Sequence, residues 1–186
     1  MSNIDKSVIE EFCSHCDWTY QCWMMRKHLY DENPDERLLR HPHHHFFFTR
    51  LEKILQEYWL QEVAKLHDPA TQYGFDNLSV DYILNSGQWP DNLKSKLQKL
   101  KDEMSKFSMS LRDVRNKLLS HKDKDTIVSG VTLGGFNAGE DVTYFKSLEE
   151  FVSEVHNYVL GTPYLFDDLV KNDIEIFMAT FSKGLA

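Results

Sequence analysis

The sequence predicts an all-α fold, a helical bundle, and three observations carry that expectation. First, Leu93, Leu97, Leu100, Met104, Phe107, Leu111, Val114 and Leu118 alternate at spacings of four and three, an unbroken heptad seam. Second, the stretches near 4–30 and 44–66 also place apolar residues at helical intervals. Third, glycine and proline fall mainly between these stretches, where they punctuate connections. A chain of 186 residues suits one domain, 1–186, and can bury a core without cross-links.

Taken in order, Ser2 or Asn3 is expected to cap a first helix running to about Tyr30, with Ile4, Val8, Phe12, Cys16, Trp23 and Tyr30 on its apolar side. Asp31-Glu32-Asn33-Pro34-Asp35 reads as a connection, and Leu38-Leu39 as a short turn closed by Pro42. A second long helix is expected from about His44 to Leu66. Phe48, Leu51, Leu55, Tyr58, Glu62 and Leu66 mark its spacing, and Ile54, Trp59 and Val63 widen the stripe. Ser79 is a candidate N-cap for a short helix through Leu84. Pro90 then precedes the long seam helix. Asp123 to Lys146, rich in glycine and β-branched residues, reads as a Gly-rich loop or small hairpin inserted after that helix. Ser147-Leu148-Glu149-Glu150 has a capping-box pattern opening a helix to about Leu160, which Gly161 ends. Thr162-Pro163 is expected to start a final helix with Leu165, Phe166, Leu169, Ile176, Phe177 and Phe181 as its apolar set.

Composition narrows the class. Aromatic residues make up 13% of the chain, which argues against disorder. No apolar run approaches the roughly 18 residues of a membrane span, and Met1 to Lys6 lacks the apolar stretch of a signal peptide, so a cytoplasmic protein with no membrane partner is expected. The net charge of -8 argues against nucleic-acid binding by the body as a whole. Its distribution differs: from Lys94 to Lys124 ten bases face four acids, a locally basic segment able to approach phosphate or to form a solvated mixed-charge face.

Cys13, His15 and Cys16 lack a second Cys or His pair at zinc-finger spacing, and helical spacing makes the cysteines small buried hydrophobes. His41, His43, His44 and His45 surround Pro42. Adjacent histidines cannot all face one ion, which favours a polar helix start followed by Phe46, Phe47 and Phe48 entering the core. Asp167-Asp168 and Glu149-Glu150 point about 100° apart on a helix and read as solvated faces. No metal and no cofactor are expected.

The strongest functional clue is Arg115-Asn116-Lys117-Leu118-Leu119-Ser120-His121. A guanidinium matches phosphate oxygens two at a time, and an imidazole exchanges protons near neutral pH. Together they suit attack of an RNA 2′-hydroxyl on the neighbouring phosphate: His121 moves the proton and Arg115 stabilises phosphoryl charge. Asn116 offers an amide to the phosphate or to the histidine. On an ideal helix the Arg115 and His121 side chains diverge by roughly 120° and lie about 9 Å apart along the axis, so convergence needs the helix to end or tighten near Ser120, or a second copy to complete the site. The competing reading is a helix C-terminus with cations favourable to its dipole.

This segment, continued by Lys122-Asp123, resembles the signature of the HEPN superfamily. With Asp68-Pro69 and the helix start at Asn77-Leu78-Ser79, the layout is similar to the AbiU2-like branch, linked to abortive phage infection. The resemblance implies an α-helical bundle, commonly a homodimer with paired motifs, and in many members a metal-independent endoribonuclease acting as a toxin or defence effector. It implies Arg115, His121 and Asn116 as catalytic residues. Arg112, Lys117 and Lys122 are the nearby candidates for RNA contact. The expected partners are RNA, a second copy and a cognate antitoxin. The alternatives are a non-catalytic helical dimer that binds RNA, nucleotide or a protein partner, and a purely structural dimer on the Leu93–Leu118 seam.

Overall fold

The computed structural model describes residues 4–114 and 136–184, without the side chains of 112–114. The elements are α1 (Lys6–Arg26), a π-helical turn (Lys27–Asp31), α2 (Glu36–Leu39), α3 (His45–Leu66), β1 (Thr71–Gln72), β2 (Phe75–Asp76), α4 (Val80–Ser86), α5 (Asp91–Val114), α6 (Glu140–Leu160) and α7 (Leu169–Gly184). The described residues are thus overwhelmingly helical, with one two-stranded ribbon.

Two compact units divide the chain. One comprises Met1–Cys16 and Leu60–Phe166, the other Asp17–Trp59 and Asp167–Ala186. In the first, the α5 seam packs along α6. Leu97, Leu100, Met104, Phe107 and Leu111 are buried with Tyr144, Phe145, Leu148, Phe151, Val152 and Val155 of α6. The edge of Phe12 meets Phe151, with ring centres 6.1 Å apart. In the second unit, Leu29, Tyr30, Leu39, Phe48, Leu55 and Met178 form the core, and the Tyr30 hydroxyl donates to the Phe48 carbonyl (2.9 Å).

Local chemistry sets the boundaries. Asp5 caps α1: its Oδ1 accepts from the Ser7 backbone N–H (2.9 Å). Ser2 and Asn3 lie outside the described residues. Ser79 caps α4 as expected, its Oγ accepting from the Tyr82 N–H (3.2 Å). Trp89 closes the other end of α4, its indole N–H donating to the carbonyls of Ile83 and Leu84 (3.1 Å each). Gly161 ends α6 at φ 82°, its N–H bonded to the Asn157 carbonyl.

Four expectations are corrected. The helix expected from Ser147 begins at Glu140, because Asn137 donates its backbone N–H and its amide to the Glu140 carboxylate (2.9 and 2.8 Å) and fixes the start there. Tyr144 and Phe145 then share the buried face with Leu148, and Ser147 donates to Glu103 instead of capping. Residues 140–146 are therefore helix, not loop or hairpin; 123–135 of that stretch lie outside the described residues. Thr162-Pro163 does not open the last helix. The Thr162 carbonyl bonds the His156 ring (2.6 Å) and the Phe166 N–H donates to Glu149 (3.1 Å), so side chains of α6 take up these backbone groups and α7 starts at Leu169. On α7, Met178 is buried, while Leu169 and Ile176 face outward. On α3, Ile54, Phe46 and Phe47 are exposed, and of the three phenylalanines only Phe48 enters the core.

The ribbon was not anticipated. β1 and β2 pair antiparallel, Gln72 opposite Phe75, across Tyr73 (φ 53°) and Gly74 (φ 83°), two left-handed residues as a tight hairpin turn demands.

Candidate functional site

α5 ends its described course at Val114, one residue before the motif. Arg115, Asn116, Lys117, His121 and Lys122 lie outside the described residues, as does the side chain of Arg112 on α5. What is visible is the platform leading into the motif. The seam that carries the spacing from Leu97 to Leu111 is buried against α6, so the helix is held rigidly in register up to that point.

The last described turns of α5 border a small cavity of about 50 Å³ lined by Ala64, His67, Asp68, Ser108 and Met109. α3 stops at Leu66, and His67 and Asp68 just beyond it share the lining with Ser108 and Met109 of α5. The His67 ring lies 3.0 Å from the Tyr144 hydroxyl. Desolvation pushes His67 down to about 4, aided by Lys101 and opposed by Asp81, so the ring is neutral at physiological pH. Burial likewise pushes the Tyr144 phenol well above its ordinary value. This pair is a neutral hydrogen-bonded unit under the helix that feeds the motif. Sequence reading missed it, because a histidine after a helix end carries no spacing signal and its partner lies 77 positions away.

A second, more open hollow of about 300 Å³ lies between α5 and the start of α6, bordered by Glu103, Lys106, Phe107, Glu140 and Tyr144 among others. Two carboxylates against one ammonium do not favour phosphate there. Asn137 hydrogen bonds hold the Glu140 carboxyl below the usual carboxylate range, with Lys106 adding to the effect.

Three lysines of the basic segment are paired where it is described. Lys96 pairs with Glu150 and Glu154 (2.8 and 2.9 Å), Lys99 with Glu103 (3.8 Å) and Lys101 with Asp81 (2.5 Å). Lys96 ties α5 to α6 and Lys101 ties it to α4, while Lys99 pairs along α5 itself, so these three do not form a continuous cationic stripe.

The other sequence candidates resolve structurally. Cys13, Cys16 and Cys22 are buried, and desolvation pushes the Cys13 thiol up to about 12, far from a thiolate ligand. His15 lies 2.9 Å from Glu62, itself buried and also bonded by Lys65 (2.7 Å). His44 bonds the Leu38 carbonyl (2.6 Å), His45 the Pro42 carbonyl (3.1 Å), and the rings of His41 and His44 stack 5.4 Å apart. That cluster closes the turn before α3. Among the described residues no group of three or more His, Cys, Asp or Glu is arranged to hold a metal. Asp168 is not merely a solvated face: its Oδ2 lies 2.9 Å from His28, whose other ring nitrogen lies 3.2 Å from Glu32. Among the described residues no helix is long and apolar enough to cross a membrane.

Searches of curated proteins and of solved structures find no match. A family model does match, and its span extends well beyond the motif segment: the model described as AbiU2, of the HEPN group, covers residues 1–180. This near-complete match on a helical chain leads to one assignment: the chain belongs to the AbiU2 family of HEPN domains, an abortive-infection-related family.

Proposed function

We propose that this protein is a metal-independent endoribonuclease effector of an abortive-infection or toxin–antitoxin system. The observation that carries the reading is the Arg115-Asn116…His121 segment placed directly after the buried seam of α5, in a chain matched by the AbiU2 family over 1–180. In the proposed step His121 accepts the proton of the substrate's 2′-hydroxyl. The freed oxygen attacks the adjacent phosphorus, the bond to the 5′-oxygen breaks, and that oxygen leaves as a hydroxyl after taking up a proton. Arg115 neutralises charge building on the non-bridging oxygens, and Asn116 orients the phosphate or the imidazole. Arg112, Lys117 and Lys122 supply cations for the RNA backbone. The active form is a homodimer, and a cognate antitoxin restrains it.

The paired lysines of α5 and the net charge of -8 favour a second reading, a non-catalytic helical dimer that binds RNA, nucleotide or a protein partner. Incubation with varied RNAs in excess EDTA separates the two. Cleavage that disappears in Arg115→Ala and His121→Ala supports the nuclease. RNA retention without cleavage supports the binding module, and cleavage that survives the double variant moves the active site elsewhere.

A further inference from the structure

The second unit contains a cavity of about 370 Å³, a volume that suits a small ligand. One wall is the π-helical turn and the bend that follows it. There the Glu32 N–H donates to the Lys27 carbonyl (2.8 Å), one residue further back than in an α-helix. Asn33 then locks the bend: its amide donates to the Leu29 carbonyl and its Oδ1 accepts from the Asp35 N–H (2.9 Å each). The other wall is one face of α7, where Lys171, Ile174, Glu175 and Met178 recur at helical spacing. Each wall is held by its own chain, which makes the cavity preformed.

The charges of the walls decide what fits. His28 lines the cavity with its side chain only 9% exposed, one ring nitrogen 2.9 Å from Asp168 and the other 3.2 Å from Glu32. Both nitrogens are engaged by carboxylates, so the ring offers no donor to an anion. The second Asp168 oxygen, Oδ1, is buried with no hydrogen-bond partner among the described residues, which leaves negative charge behind the ring incompletely compensated. Glu32 is also matched by Lys27 (3.1 Å). Among the described residues, three charged lining side chains are left without an ion-pair or hydrogen-bond partner: Asp35, Glu175 and Lys171. Two acids against one base favour a cation, and Pro34, Ile174 and Ala179 add apolar surface to the same space.

We propose that this cavity binds a small aliphatic cation, with an ammonium or guanidinium head toward Asp35 and Glu175 and a short alkyl stem against Pro34, Ile174 and Ala179. A guanidinium carries five N–H donors in a planar fork and can serve two carboxylates at once. The stem leaves water as it settles on the apolar wall, while the head stays with the acids at the rim. Such a head reaches the site on a free amine or on the arginine side chain of a peptide, and the recognition chemistry is the same. The proposal does not depend on RNA cleavage.

Isothermal titration calorimetry of the full chain tests it with agmatine, with Nα-acetyl-arginine amide and with uncharged butylurea. At least one of the two cations is expected to saturate a single site with a Kd of about 1 mM or tighter, and butylurea to give no saturable heat. Tighter binding of agmatine identifies a free amine as the occupant, and tighter binding of the arginine amide a peptide side chain. Asp35→Asn and Glu175→Gln are each expected to weaken binding about two- to fivefold, and Lys171→Ala to strengthen it by a similar factor. Ala179→Leu, which fills the space and leaves the charge alone, is expected to abolish it. All four positions are exposed, so the fold is retained, and far-UV circular dichroism checks it. Failure of both cations to saturate by roughly 10 mM overturns the proposal. So does butylurea binding equally well, or binding that Glu175→Gln and Ala179→Leu both leave unchanged.

Discussion

His67 and Tyr144 meet at 3.0 Å, joining the residue after α3 to the first half of α6, beside the cavity that Ser108 and Met109 of α5 also line. The contact joins these two segments beside the last described turns of α5. A neutral, desolvated histidine is thus part of the scaffold beside the described end of α5.

That neutrality has a pH signature. The unfolded chain takes up a proton on His67 near 6.5, whereas the folded chain takes it up near 4. Between those values the unfolded state binds more protons, so stability from this site is complete above about 6.5 and is lost as pH falls toward 4. The slope contributed approaches ~1.4 kcal/mol per pH unit inside that window. Urea midpoints measured at several pH values are expected to converge less steeply toward acid in His67→Gln, which can still hydrogen-bond Tyr144 but does not titrate. A wild-type slope matched by His67→Gln would remove His67 as its source.

Gly87→Ala is expected to be costly although Gly87 has an ordinary backbone angle. A Cβ built there lies 2.2 Å from the Trp89 ring, which must then move. Moving the ring breaks its N–H contacts to the Ile83 and Leu84 carbonyls at the end of α4. A loss of about 2–4 kcal/mol follows from the overpacking together with the lost cap, and thermal unfolding with intrinsic tryptophan fluorescence measures it.

Glu62 stands as a buried carboxylate held by two partners. Burial is the largest influence and raises it, yet hydrogen bonds and charge from Lys65 and His15 hold it below the usual carboxylate range. Its contribution is therefore present above about 4.5 and fades as pH falls through the lowered folded value. His15→Ala strips one oxygen of its 2.9 Å partner and is expected to cost about 1–3 kcal/mol at neutral pH. Glu62→Gln in the same background is expected to recover part of that loss, because it removes the buried charge. An equal cost of Glu62→Gln with and without His15, read in a chemical-denaturation double-mutant cycle, would mean that the two side chains act independently.

The seam helix was legible in the sequence because its period is long and unbroken, and the buried set from Leu97 to Leu111 follows it residue by residue. Ser79, Gly161 and the end of α3 at Leu66 were legible because cap and stop chemistry is local. The start of α6 was not. Val142 and Thr143 suggested strand, while Asn137–Glu140 hydrogen bonding and the burial of Tyr144 and Phe145 decided for helix. Ile54 was read as core because it shares a helical period with the buried stripe, and period alone does not say which of two adjacent faces turns inward. His67, His28 and Asp168 acquire their partners from distant segments or from an irregular π turn, and no spacing rule finds such pairs. The Arg115–His121 motif was read from its chemistry and from a family resemblance, and the family membership now stands on the match over 1–180.

The last prediction concerns the reaction itself. If the substrate's own 2′-hydroxyl is the nucleophile, the 3′ end of the upstream product carries a 2′,3′-cyclic phosphate and the downstream product starts with a 5′-hydroxyl. Mass spectrometry of a short defined RNA reads both ends directly. A single 2′-deoxy nucleotide at the cut position is expected to abolish cleavage there while leaving neighbouring sites open. His121→Ala removes the proton transfer and is expected to lower the rate roughly 10² to 10⁴-fold, and Arg115→Ala, by loss of charge stabilisation, by about 10² to 10³-fold. Because the two side chains act on one transition state, their effects are not expected to add in the double variant. Asn116→Ala, which only orients, is expected to cost less than either. A product ending in a plain 3′-hydroxyl would show that water or another nucleophile attacked, and the roles assigned to Arg115 and His121 would fall together.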